Sequence, residues 1–140
     1  MSKLTLKYQS AECDIFFNED LHIVQTFWKG VYFTDDRFRI ILDEIIKVLY
    51  ITRSSIIVAD ARDMYAISQP NQQWILTNWY PRAVKAGFRY QGLILNKDTF
   101  SELTVKQISN EYDTGTVVTH YFKSPSEALD WVRELQEAGV

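Results

Sequence analysis

The sequence predicts an α/β fold: a single mixed, mostly parallel β-sheet with an antiparallel N-terminal edge, flanked by about four helices. Three observations predict it. Alternation of apolar and polar residues fills much of the first 30 positions, as in strands that pair with their neighbours. Farther along, segments with helical spacing alternate with short apolar runs. Strands separated by helices need crossover connections, which make the later strands parallel.

The N-terminal segment predicts strands that pair antiparallel at one edge of the sheet. Their sequences are LTLKY (Leu4 to Tyr8), DIFFN (Asp14 to Asn18) and LHIVQTFWKG, which ends at Gly30. The third pattern is the clearest, because its odd-numbered and even-numbered residues fall on opposite faces.

The segment TDDRFRIILDEIIKVLYI predicts the first helix. Thr34 is placed as its N-cap, and Asp35 and Asp36 lie in the first turn, where the helix dipole favours acids. The apolar residues at helical spacing are Phe38, Ile41, Leu42, Ile45 and Leu49.

Next, SSIIVAD is a continuous apolar run, typical of a strand covered on both faces. The segment QPNQQWILTNWYPRAVKAG predicts a second helix, which begins at Ser68 or Gln69. Pro81 should bend or break this helix after Tyr80, because proline lacks the N–H donor and crowds the preceding turn.

The last third repeats the alternation. GFRYQGLILN predicts a strand, and KDTFSELTVKQISNEY predicts a helix whose start resembles a capping box, Thr99 to Glu102. TVVTHYF predicts the final strand. SPSEALDWVRELQEAG predicts the closing helix, with a full capping box formed by Ser124 and Glu127.

Bulk properties predict one domain, residues 1–140. The chain has 140 residues, 46% of them hydrophobic, which is the composition and size of a single globular core. A net charge of -3 argues against nucleic-acid binding, which needs a dense basic face. Cys13 is alone, and no stretch approaches the roughly 20 apolar residues of a membrane span. We expect a cytoplasmic protein without a transmembrane segment.

Four features then follow the pattern of one known family. They are the early strand LHIVQTFWKG, the long first helix, the strand IIVAD and the final HYFKSPSEALDWV. Together they resemble the STAS family, the anti-sigma-factor-antagonist fold, and more closely its SpoIIAA-like branch. The resemblance implies a bacterial, regulatory, non-enzymatic module that binds a protein partner.

Regulatory members of that family carry a phosphorylated Ser or Thr, which follows an Asp at the entrance to the second helix. Here Asp60 is followed by Ala61, Arg62 and Asp63, and the nearest hydroxyl is that of Ser68. The chain therefore resembles a divergent member that lacks the phosphorylatable motif.

The first candidate site is the loop from Asp60 to Ser68, which follows a predicted buried strand. Such loops line the crevice beyond the carboxyl ends of parallel strands, where ligands and partners bind. One reading makes Asp60, Arg62, Asp63 and Ser68 a polar surface for a protein partner. The alternative is local: the acids bond loop amides, Arg62 pairs with one acid, and Ser68 caps the helix.

The second candidate site is a group of aromatic and basic residues in NWYPRAVKAGFRY. Its members are Trp79, Tyr80, Arg82, Lys85 and Arg89. Aromatic rings interleaved with cations suit an anionic or lipid-like ligand. The alternative is that the cations compensate carbonyls at a helix C-terminus and the tryptophan packs in the core.

Catalytic and metal-binding patterns are missing from the sequence. Its histidines, His22 and His120, fall in predicted strands and are expected to be half-buried, and Cys13 has no histidine near it in sequence. We expect no catalytic residue, no metal and no cofactor.

The sequence thus leaves two functions open: a regulatory module that contacts a protein, and a binder of a small apolar or lipid-like anionic ligand. A homodimer is compatible with both. A closed apolar cavity would favour the ligand binder, and a solid core with a flat loop surface would favour the contact module.

Overall fold

A computed structural model describes residues 3–99 and 116–140. Within these residues the fold is α/β, with one six-stranded mixed sheet, so the predicted fold class is confirmed. The strands are β1 (Leu4–Gln9), β2 (Cys13–Asn18), β3 (Ile23–Trp28), β4 (Ile56–Asp60), β5 (Tyr90–Ile94) and β6 (Val118–Phe122). The helices are α1 (Asp35–Thr52), α2 (Gln69–Trp74), a π-helical turn (Ile75–Trp79), α3 (Tyr80–Lys85) and α4 (Pro125–Glu137).

The strands lie side by side in their order along the chain. β1, β2 and β3 pair antiparallel, whereas β3 to β6 pair parallel, as the alternation of strands and helices predicts. The carboxyl ends of β3, β4, β5 and β6 therefore share one edge. That edge is where loops in this kind of sheet form binding sites.

Each face of the sheet carries its own apolar core, because successive strand residues point to opposite faces. The even-numbered β3 residues Val24 and Trp28 pack with α1, the π-turn and α3. The odd-numbered Ile23 packs with β4, β5 and α4 on the other face, where Trp131 and Val132 complete the second core. The two-faced alternation predicted for β3 is confirmed.

Helix α1 begins as the sequence predicts. The side chain of Thr34 accepts a hydrogen bond from Arg37 N at 3.1 Å, and Asp35 and Asp36 occupy the first turn. The buried stripe contains all five predicted residues together with Val48. This stripe is what holds α1 against the sheet.

The second helical segment passes through Pro81 without ending. In a regular α-helix the residue at position 81 donates its N–H to the carbonyl of Thr77, which proline cannot do. The five residues before Tyr80 widen into a π-turn, in which Tyr80 N donates to Ile75 O, and α3 follows at once. Proline therefore changes the local winding of the helix here, where the sequence predicted a bend or break.

Both histidines differ from the expectation of half-buried strand residues. His22 lies just before β3 with a left-handed backbone (φ 56) and is exposed. His120 lies in β6, but it is also exposed and stacks on Trp131, with ring centroids 5.0 Å apart. The turn into β3 and the outer position of β6 explain both exposures.

The predicted helix KDTFSELTVKQISNEY lies outside the described residues except for residues 97–99, which are helical. At its start, Asn96 Oδ1 accepts a hydrogen bond from Thr99 N at 2.8 Å. At the closing helix α4, Ser124 caps as predicted, accepting from Glu127 N and donating to Glu127 Oε1. No helix among the described residues has the length and apolar character needed to cross a membrane.

Candidate functional site

A cavity of about 610 Å³ lies between the sheet and the helical layer of α1, the π-turn and α3. Its wall on the sheet side includes Thr26, Ile57 and Ala59, and α1 contributes Phe38 and Leu42. All five residues are buried. The cavity is therefore half-open: core residues form its inner wall, and its other side faces solvent.

The mouth of the cavity lies at the carboxyl edge of the parallel strands. Of the described lining residues, those that are solvent-exposed are Tyr65, Ala66 and Asn96. Tyr65 and Ala66 follow β4, and Asn96 follows β5. The position is the one that the sheet topology favours for a ligand.

Strand register gives the depth of each lining residue. Gln91 pairs with Ile57, and two residues closer to the mouth Leu93 pairs with Ala59. Leu95 follows beyond the end of β5. At roughly 3.3 Å per residue, Gln91 lies about 13 Å from Leu95 along the strand direction, toward the amino ends of the parallel strands, and it is half-buried.

A small group of polar side chains lies at the end of the cavity that contains Gln91. Gln91 Oε1 accepts hydrogen bonds from Tyr80 Oη at 2.8 Å and from Thr119 Oγ1 at 3.4 Å. In this arrangement the amide nitrogen of Gln91 remains a donor, with no partner among the described residues. The group is held on three elements, α3, β5 and β6, so its geometry is fixed.

Thr26 adds a second polar atom to the wall. Its side chain is 1% exposed, and its hydroxyl oxygen has no hydrogen-bond partner within the described residues. An unsatisfied buried hydroxyl is costly and uncommon in native proteins. The same oxygen has almost no accessible surface, so it lies packed within the wall and does not open into the cavity.

The described residues of this wall carry no charge. None of the described lining residues is an Asp, Glu, Lys, Arg or His. All of them have apolar, aromatic, hydroxyl or amide side chains. An isolated ionised group transferred to such surroundings loses its hydration without gaining a partner. The interior of the cavity therefore suits a neutral group.

The last residue of the π-turn, Trp79, and the first residue of α3, Tyr80, place two aromatic rings in the wall. Trp79 Nε1 donates to Leu42 O at 2.7 Å, which ties the turn to α1. Tyr80 stacks on Phe88, with ring centroids 5.9 Å apart, while its hydroxyl reaches Gln91. Trp79 and Tyr80 thus connect α1 to the polar side chains around Gln91.

The structure divides the aromatic and basic group predicted from sequence. Trp79 and Tyr80 are buried in the cavity wall, whereas Arg82, Lys85 and Arg89 are exposed on the outside. Arg82 pairs with Asp43 at 2.8 Å, and Arg89 donates to the carbonyls of residues 84 and 88. The rings and the cations therefore do not form one surface.

The Asp60 to Ser68 loop contains the local contacts that the sequence left as an alternative. Arg62 donates to both carboxylate oxygens of Asp60, at 2.9 and 2.7 Å, and this bonding raises the pKa of Arg62. Asp60 also accepts from Arg62 N. Asp63 is exposed, and its carbonyl lies 3.5 Å from the point that a Cβ on Gly30 would occupy.

Ser68 caps α2 and also contacts α1. Its hydroxyl accepts from Asn71 N at 3.3 Å and donates to Asp35 Oδ1 at 2.9 Å. Asn71 is 0% exposed, donates to Asp35, and accepts from Arg39 Nε at 2.7 Å. Sequence reasoning missed this link between the two helices, because it joins residues more than 30 positions apart.

Comparison with models of known protein families, with curated proteins and with solved structures finds no match for this chain. The cavity and the loop are accordingly interpreted from their geometry.

Other chemistry-bearing residues are dispersed. The described part of the chain has no cluster of three or more His, Cys, Asp or Glu that could hold a metal ion. Cys13 is 0% exposed, and its burial raises the pKa of the thiol to about 12. A thiol in that state is a poor nucleophile at neutral pH.

Proposed function

We propose that this protein binds a small apolar ligand in the cavity between its sheet and its helical layer. The observation that carries the proposal is an apolar space of about 610 Å³ at the carboxyl edge of parallel strands. Ligand sites have volumes of roughly 300–1,000 Å³, with apolar walls and a few placed polar groups. Gln91 supplies such a group here.

Close packing supports the same proposal. Protein interiors normally leave few voids larger than a water molecule. At about 30 Å³ for each water-sized group, this cavity has room for on the order of 20 non-hydrogen atoms. A ligand of that size would bury its own apolar surface and restore contacts to the side chains in the wall.

Binding of N-phenyl-1-naphthylamine, a neutral probe that fluoresces in apolar surroundings, tests the proposal. The wild-type protein should bind it in a 1:1 complex. Ala59→Phe places a ring in the cavity and should weaken binding at least tenfold. The matched control Ala138→Phe adds the same ring at an exposed position beyond α4, and should bind as the wild type does.

A second variant guards against misfolding of the first. Ala61 lies in the loop near the mouth and is only half-buried, so Ala61→Trp should narrow the entrance while leaving the core unchanged. Circular dichroism and thermal melting would verify that both variants fold. Unchanged probe affinity in two folded variants, or no 1:1 binding to the wild type, would contradict the proposal.

A regulatory module that contacts a protein partner is the second candidate function, and one observation favours it. Tyr32 and Tyr65 are 71% and 48% exposed, and their rings form an edge-on pair with centroids 6.3 Å apart. They join the β3–α1 loop to the Asp60 to Ser68 loop. Exposed tyrosines are enriched at protein interfaces.

Site-specific photo-crosslinking tests the second candidate. A photoreactive phenylalanine analogue at position 65 should crosslink one discrete protein in cells, and Arg62→Ala should reduce the yield. The matched control places the analogue at Tyr50, which is 74% exposed on α1. The same products at both positions would mean that position 65 reports only collisions, and the candidate would fail.

A further inference from the structure

We propose that the cavity selects a neutral lipophilic molecule with a hydrogen-bond-accepting oxygen, such as an alcohol or an ester, over a carboxylate of equal chain length. This inference rests on the proposed function and specifies the class of ligand. It follows from the position of one amide donor and from the lack of charged side chains among the described residues of the wall.

The donor is the amide nitrogen of Gln91. Hydrogen bonds from Tyr80 and Thr119 both reach the amide oxygen of Gln91, so they orient the amide and leave its nitrogen to a ligand. A hydroxyl or ester oxygen accepts such a bond without carrying a charge into the core. Recognition of this kind disfavours a ligand that lacks the acceptor, because such a ligand covers the half-buried amide nitrogen without giving it a partner.

Depth determines how the ligand lies. Gln91 is about 13 Å from the mouth, at roughly 3.3 Å per residue along β5. A chain of about ten carbons spans that distance, with its oxygen at Gln91 and its far end near Leu95. Thr26 lies two residues nearer the mouth than Gln91, since it pairs with Ala59, but its hydroxyl is enclosed by protein atoms, so the ligand oxygen is placed at Gln91 alone.

The charge distribution disfavours a carboxylate at this deep position. No described residue of the wall carries a positive charge, and the cations Arg82, Lys85 and Arg89 lie on the outer surface. A carboxylate at Gln91 would therefore lose its hydration and gain only neutral donors. This differs from the anionic ligand that the sequence suggested, because the aromatic and basic residues separate in the fold.

Displacement of N-phenyl-1-naphthylamine by 1-decanol, methyl decanoate and decanoate tests the inference at neutral pH, where decanoate is ionised. The two neutral competitors should bind at least tenfold more tightly than decanoate. Gln91→Met and Gln91→Glu both remove the donor; Met stays neutral, and Glu still accepts from Tyr80 and Thr119. Each should weaken 1-decanol and methyl decanoate about fivefold to tenfold, the effect of one lost hydrogen bond.

The probe itself is the internal control, because it has no oxygen. Gln91→Met should leave its affinity unchanged, which shows that the variant retains a folded cavity. Equal displacement by all three competitors, or by none, would overturn the inference while the proposed function stands. Unchanged affinity for the neutral competitors in both Gln91 variants would overturn it too. Failure of the probe to bind the wild type would instead remove the proposed function itself.

Discussion

Thr26 carries a cost to stability in a single side-chain oxygen. It lies in the middle of the face that β3 presents to α1, among apolar neighbours, and its hydroxyl has no partner within the described residues. Valine has nearly the same shape without the unsatisfied oxygen. A hydroxyl kept at such a position is a cost to stability, and this is common at binding sites.

Thr26→Val should therefore raise the free energy of unfolding by about 1 kcal/mol, since it removes an unpaired buried hydroxyl. Urea denaturation measures the change. The matched control is Thr119→Val, which removes a hydroxyl that donates to Gln91 and should give no gain. A loss of stability in Thr26→Val would show that its hydroxyl is satisfied in solution.

Sequence reasoning at this scale was strongest for residues whose partners are near in the chain. The Asp60 and Arg62 pair and the Ser68 cap were both expected as local alternatives, and both contacts are present. Whether these residues also bind a partner stays a prediction. The Gln91 group could not be expected, because Tyr80 and Thr119 reach it from other elements.

At the scale of elements, the contact between α1 and α2 depends on Asn71. Its buried amide bonds Asp35 and Arg39 of α1. The link fixes where α2 starts, and hence where the π-turn and the rest of the cavity wall lie. Ser68 supports the same junction through Asp35.

Asn71→Ala should destabilise the fold by about 2 kcal/mol, because it removes several hydrogen bonds at a fully buried site. Ser68→Ala should cost about 1 kcal/mol, the usual effect of losing a helix cap. The matched control Asn78→Ala removes an exposed amide that contacts Arg82, and should change stability by less than about 0.5 kcal/mol. Thermal or urea denaturation distinguishes the three, and equal effects for Asn71 and Asn78 would contradict the junction described here.

The sequence predicted where the helices lie, but it did not predict the π-helical winding before Tyr80. Caps, acids in the first turn and apolar spacing predicted α1 and α4 correctly. Pro81 indicated an irregularity in the second helical segment. A bend, a break and a π-turn can each accommodate proline, so the sequence did not determine which of them forms. The contacts of Trp79 with α1 and of Tyr80 with β5 accompany the third outcome.

For the whole molecule, periodicity predicted the mixed sheet and its two covered faces, because alternation reports which way side chains point. It does not report how completely their volumes fill the space between layers. The small residue Ala59 lies in the sheet-side wall of the cavity, and no pattern in the sequence marks it as different from other small core residues. The sequence therefore predicted which residues face each side of the sheet, but it did not predict the cavity.

The separation of the two cores has a further consequence. Each strand residue belongs to one side of the sheet, so α4 packs on side chains that never meet the cavity. Substitutions in the cavity wall, such as those at Gln91, should therefore leave the packing under Trp131 intact. One face of the sheet is closely packed around α4 and can maintain the folded state. The other face carries the cavity, so its side chains can change with less effect on that packing.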